Sequence, residues 1–171
     1  MKSMKIWSCF LLLTLAGGVL QAQMKNAPPS IVAAMVVKVI PFEKNLSNST
    51  DISIYVLDAP EVARELEKAI GVSVGSATLK TVESGKALPS ARPSLIYCDA
   101  VSRLPEVLAY SQGNKILSTT GHPDLVNQGV TLGFGIGDDN KPKIVLNLNS
   151  SLEEGLDWNP AILKIAKIVK E

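Results

Sequence analysis

The chain has 171 residues, with 17 basic and 16 acidic side chains and a single histidine. So balanced a charge gives no electrostatic argument for nucleic acid or an anionic membrane surface as a partner. Of the two cysteines only Cys98 lies beyond the N-terminal segment. A disulfide framework is therefore excluded.

Residues 1–22 read as an export signal. Lys2 and Lys5 form a positive start, Ile6 to Ala16 an apolar stretch, and Ala22 a small residue for cleavage before Gln23. The apolar part falls short of the roughly 20 residues that span a bilayer. Its removal takes Cys9 and two lysines, leaving 15 basic side chains against 16 acidic ones in a single domain of residues 23–171.

After Ala27-Pro28-Pro29 the run Ile31–Ile40 is apolar except for Lys38. Its β-branched half suits a strand on propensity, and periodicity does not decide so short a run. Asp51 to Leu57 reads as a buried strand. Asp58, Pro60 and Glu61 then start a helix whose apolar stripe is Val62, Leu66, Ala69 and Ile70, ended by Gly71. Strands follow at Ala77–Val82 and Ser94–Cys98, then a helix capped by Ser102, then a strand at Lys115–Thr119. Alternating strands and helices predict an α/β sheet between helical layers.

In the last third, Leu132, Phe134 and Ile136 alternate with glycines, and Ile144, Leu146 and Leu148 follow a polar turn. Centring the turn on Asn140 pairs Leu132 with Leu148, Phe134 with Leu146 and Ile136 with Ile144, and leaves a bare glycine face for a helix or loop to approach. Asn159 and Pro160 open a closing helix lined by Ile162, Ile165, Ala166 and Val169.

The chemistry on view is sparse. Gly133, Gly135 and Gly137 lie inside a strand that leads to a hairpin, which is the wrong context for a dinucleotide fingerprint. His122 has no partner at metal-ligand spacing and no nucleophile elbow. Asp138-Asp139 and Glu153-Glu154 read as solvated positions, and Cys98 as a small core residue. No catalytic residue, metal or cofactor is expected.

The stretch Lys115-Ile116-Leu117-Ser118-Thr119, the run Gly121 to Gly129, the segment Lys143 to Asn149 with Leu146-Asn147-Leu148, and the closing Ala161–Ala166 resemble the YfiR family. The resemblance supplies the helix assignment for Ile31–Ile40. It implies a single-domain α/β layered sandwich, with a mixed sheet, a C-terminal β-hairpin and a closing C-terminal helix. It further implies an exported bacterial domain without enzymatic activity, whose better-known relatives restrain a membrane-bound diguanylate cyclase through its periplasmic portion. This chain departs from the family pattern in its single mature cysteine, in Ile40-Pro41-Phe42 and in Gly129-Val130, so redox control does not carry over. The expected partner is the periplasmic part of a membrane signalling protein. A small ligand, carried as by a solute-binding domain, and a homodimer are the other associations considered. Two surfaces are the candidates for binding: Phe42, Glu43 and Lys44 after the first helix, and Thr119, Thr120 and His122 at a strand end, where α/β sheets place their sites.

Overall fold

The computed structural model describes residues 24–169, so the expected signal peptide lies outside the described residues. In chain order the elements are β1 (Lys25–Asn26), α1 (Pro29–Val39), α2 (Lys44–Ser47), β2 (Asp51–Leu57), α3 (Pro60–Glu67), β3 (Ser73–Val74) and β4 (Ala77–Gly85). They continue with β5 (Leu95–Cys98), α4 (Leu104–Asn114), β6 (Leu117–Thr120), β7 (Leu132–Ile136), β8 (Pro142–Asn147), α5 (Leu148–Glu153) and β9 (Ala166–Val169). Short 3-10 segments at Ile40–Phe42, Val101–Arg103, Pro123–Gln128 and Pro160–Lys164 join them.

The nine strands among the described residues belong to one mixed sheet, ordered β3-β4-β2-β5-β6-β7-β8-β9, with β1 added beside β7. Strands β4, β2, β5, β6 and β7 run parallel. Parallel strands are covered on both faces, which is why β5 and β6 are buried throughout. On one face Ile54, Val56, Leu95, Tyr97, Leu117 and Phe134 pack against α1 and α3. On the other, Tyr55, Leu57, Ile96 and Cys98 meet Val107 of α4. The α/β sandwich expected from the sequence is this three-layer arrangement.

Local signals were met unevenly. Helix α3 starts at Pro60 as expected, but Asp58 does not cap it. Asp58 has φ 55°, and its carboxylate faces Arg103 at 3.3 Å instead. Ser102 likewise makes no cap; it lies within the 3-10 turn that precedes Leu104. Ile70 is exposed, because α3 ends at Glu67 before its stripe is complete.

The hairpin keeps the expected faces and shifts the expected register by two residues. Leu132 pairs with Leu146, Phe134 with Ile144 and Ile136 with Pro142. A three-residue loop, Asp138 to Asn140, fixes this: Gly137 donates its N–H to Lys141 O at 3.0 Å, and Asn140 takes the left-handed conformation with φ 54°. Leu148 is no strand residue, because Asn147 ends β8 by accepting Ser150 N–H at 3.0 Å as the cap of α5. The bare glycine face is covered as expected. A Cβ at Gly133 would collide with Val126, and one at Gly135 with Pro123, both from the 3-10 segment Pro123–Gln128.

The closing helix begins as expected, with Asn159 accepting Ala161 N–H at 3.0 Å and Pro160 at its first position. It is a 3-10 turn that stops at Lys164. Ala166–Val169 then pairs in parallel with β8, Ala166 opposite Ile144. Ala166 and Ile168 pack on the main core with Lys167 between them exposed, and this period of two prevails over the helical spacing read from Ile162, Ile165 and Val169. The new strand also satisfies an edge of β8 that would otherwise leave its backbone groups unpaired.

Candidate functional site

The two surfaces chosen from sequence stand at opposite ends of β6. At its C-terminal end, Asp99, immediately after β5, gathers three donors. Tyr97 O–H lies 2.6 Å from Oδ2, and Thr120 Oγ1 and Gly121 N lie 2.9 and 2.8 Å from Oδ1. His122 Nε2 lies 4.0 Å from Oδ2, and its backbone N–H bonds to Thr120 Oγ1 at 3.1 Å. Burial and the neighbouring Asp99 charge push the Tyr97 phenol far above its ordinary range, so it stays a proton donor to Asp99. Thr119 and Thr120 are buried, Thr119 pointing its hydroxyl at Ile96 O, 3.3 Å away. Of the three residues expected at this end, His122 alone reaches solvent.

Next to it lies the point where the sheet reverses its winding. The helix after β2 covers one face and the helix after β5 covers the other, which puts a topological switch point at the C-terminal ends of β2 and β5. Asp58, Asp99 and Arg103 stand there. Arg103 bridges the connections by bonding Asp58, Lys86 O and Glu106. Sequence reasoning missed Asp99 and Arg103; the signal available for Asp99 was its position just past a fully apolar strand.

At the N-terminal end of β6, the loop after α1 is tied to the C-terminal segment. Glu43 is fully buried. Its carboxylate accepts Leu46 N–H at 2.7 Å, Asn45 Nδ2 at 3.1 Å and Asp157 N–H at 2.9 Å. Phe42 O accepts Asn159 N–H at 2.7 Å, and Lys44 reaches Asp157 Oδ1 at 2.8 Å. Glu43 is thus a clasp; Lys44 is exposed and Phe42 half-buried. Beside the clasp a cavity of about 400 Å³ opens at the N-terminal ends of β5 and β6.

Two further groups differ from the sequence reading or bear it out. Glu154 is fully buried rather than solvated, and burial raises its pKa against the opposing hydroxyls of Ser118, Ser111 and Thr131. Cys98 is buried as expected, and burial raises its thiol pKa. Among the described residues no group of three or more His, Cys, Asp or Glu is placed to hold a metal ion, and no helix is long and apolar enough to cross a membrane.

Residues 29–167, which span the sheet from α1 to β9, match the YfiR/HmsC-like family. The chain belongs to that family. No curated protein matches the sequence. Among solved structures it is similar to a conserved domain protein from Vibrio cholerae O1 biovar El Tor, with 15% identity and a TM-score of 0.54 over 85% of this chain and 61% of that one. It is also similar to an ABC domain from Streptococcus pneumonia in complex with L-Trp, with 14% identity and a TM-score of 0.52 over 83% and 60% of the two chains. At such identities the likeness is one of fold. The YfiR/HmsC-like chain spans about three-fifths of each of those chains.

Proposed function

We propose that this YfiR/HmsC-like chain is an exported, non-catalytic regulatory domain that binds the periplasmic part of a membrane signalling protein and restrains it, a diguanylate cyclase being the partner the family suggests. The family match over residues 29–167 carries this reading. Site geometry supports it. The acids at the sheet ends are engaged by the fold itself, Asp99 by Tyr97, Thr120 and Gly121, and Glu43 by Leu46, Asn45 and Asp157. A general base needs a free lone pair aimed at substrate, and each of these carboxylates already accepts three hydrogen bonds from its neighbours. Of the six residues chosen from sequence, Lys44 and His122 are the ones that present polar groups to solvent, which suits recognition.

Capture from solubilised membranes tests the reading. Lys44→Glu and His122→Ala are expected to fold as wild type, since exposed side chains contribute little to stability, and to capture less of a membrane protein that wild type retains. Equal capture by both variants removes these surfaces, and turnover of an ester or phosphate substrate by the pure protein removes the non-catalytic reading. A second reading, a small-ligand carrier, is favoured by the likeness to a domain crystallised with L-Trp.

A further inference from the structure

The cavity beside Glu43 has the size of a small-molecule site, which typically runs from about 300 to 1,000 Å³. Its accessible apolar lining is Leu46 and Leu156, with Ile116 and Leu117 buried in the core behind them, and its cations are Arg92 and Lys115. Both cations are held in place by backbone carbonyls. Arg92 Nε and Nη2 donate to Asn114 O at 2.6 Å and Lys115 O at 2.8 Å, and Lys115 Nζ donates to Glu153 O at 2.6 Å. Arg64 and Arg103 each face carboxylates, whereas Arg92 has no carboxylate partner among the described residues, and its Nη1 remains open. Carbonyl anchors fix the position of a guanidinium without neutralising it.

The one acid in the lining, Glu43, is outnumbered by these two cations. Glu43 turns its oxygens to Leu46, Asn45 and Asp157, away from any salt bridge. The wall opposite is equally fixed, because Glu154 binds Ser118 N–H at 3.0 Å and Glu43 binds Asp157 N–H, on either side of Gly155 and Leu156. Two pre-positioned cations without salt-bridge partners among the described residues, beside the half-buried Leu46 and Leu156, match one ligand chemistry, since ordering costs are met before binding.

We propose that this cavity binds a small amphipathic anion, a carboxylate carried on an apolar body, with the carboxylate at Arg92 and Lys115 and the body on Leu46 and Leu156. Arg92 Nη1 is the free arm, and the expected contact is a charge-assisted hydrogen bond from it to the carboxylate.

Calorimetric titration of the purified protein with hexanoate, hexanamide and hexylammonium at one ionic strength tests it. The probes share a chain and differ in head group. Saturable hexanoate binding is expected, with the other two weaker by about tenfold or more, the equivalent of about 1.4 kcal/mol. Arg92→Gln and Lys115→Asn, the latter compatible with the left-handed backbone there (φ 54°), should each weaken hexanoate by a similar factor. Equal binding of hexanoate and hexanamide overturns the proposal on wild-type protein alone, whatever the variants do. So does binding that both folded variants retain in full. No partner protein enters the titration, so its failure leaves the partner reading intact, and loss of the partner reading leaves the ligand in place.

Discussion

The Glu43 carboxylate accepts the backbone N–H of Asp157 at 2.9 Å, joining the turn after the first helix to a segment 114 residues further along the chain. The same carboxylate caps α2 through Leu46 N–H at 2.7 Å. One fully buried side chain therefore holds both the start of a helix and the return of the C-terminal segment. Glu43→Ala orphans several donors at once, and each buried orphan costs about 1–3 kcal/mol. A loss of about 3 kcal/mol or more is expected in urea denaturation. A midpoint within experimental error of wild type contradicts the clasp. Lys44→Glu next to it breaks an exposed ion pair with Asp157 and should cost under about 1 kcal/mol.

Asn147 explains why an asparagine interrupts the apolar run Ile144 to Leu148. Its Oδ1 caps α5 through Ser150 N–H and its Nδ2 donates to Val126 O, both at 3.0 Å, from a fully buried position. Asn147→Asp keeps the cap but turns a donor into an acceptor against the Val126 carbonyl. Both Asn147→Asp and Asn147→Ala should lower stability by about 2–4 kcal/mol, a lost cap plus an unpaired buried group. Thermal melts that place the Asn147→Asp variant level with wild type would show that the bond to Val126 contributes nothing.

These residues also show what the sequence could and could not convey. Strand β2 was legible because Ile52, Ile54 and Val56 alternate over a length only a strand fits. The faces of the hairpin were legible for the same reason, but its register was not. Register depended on the loop Asp138–Asn140 and on Asn147 leaving the strand to cap a helix, and both depend on backbone angles rather than on hydrophobicity. The closing segment misled because Ile162, Ile165, Ala166 and Val169 satisfy a helical spacing, while Ala166, Lys167 and Ile168 satisfy a strand. Pairing with β8 decided between them. At the candidate sites the sequence pointed to the strand end at His122, but not to the Asp99 that organises it. Arg92 and Lys115 lie 23 residues apart in sequence and meet only because the 86–94 connection brings Arg92 to the end of α4.

Glu154 sets a pH dependence. Its Oε2 accepts Ser118 N–H, while its Oε1 and the buried Thr131 Oγ1 lack partners of good geometry. The charged neighbours on the packed elements, Lys115 of the α4 end and Glu153 of α5, are engaged elsewhere: Lys115 with Glu153 O, and Glu153 with Gln112 at 2.7 Å. Burial raises the folded pKa above the unfolded value near 4.3. The folded state then holds a proton that the unfolded state has released, so stability is greatest below the unfolded value and falls as pH rises toward the folded one. Glu154→Gln removes the titration. Melts from pH 4 to pH 8 should show a shallower decline for the variant and a higher melting temperature than wild type at pH 8. A decline of equal slope in the two proteins contradicts a raised Glu154 pKa.

The binding account is tested most directly by photo-crosslinking in intact cells, with a crosslinking amino acid placed in turn at Lys44, at His122 and at the exposed edge residue Lys80 of β4. The account predicts a discrete adduct with a membrane protein from position 44 or 122 and none of that mass from position 80. Adducts of the same mass from all three positions, or none from 44 and 122 in protein recovered folded from the envelope, contradict it.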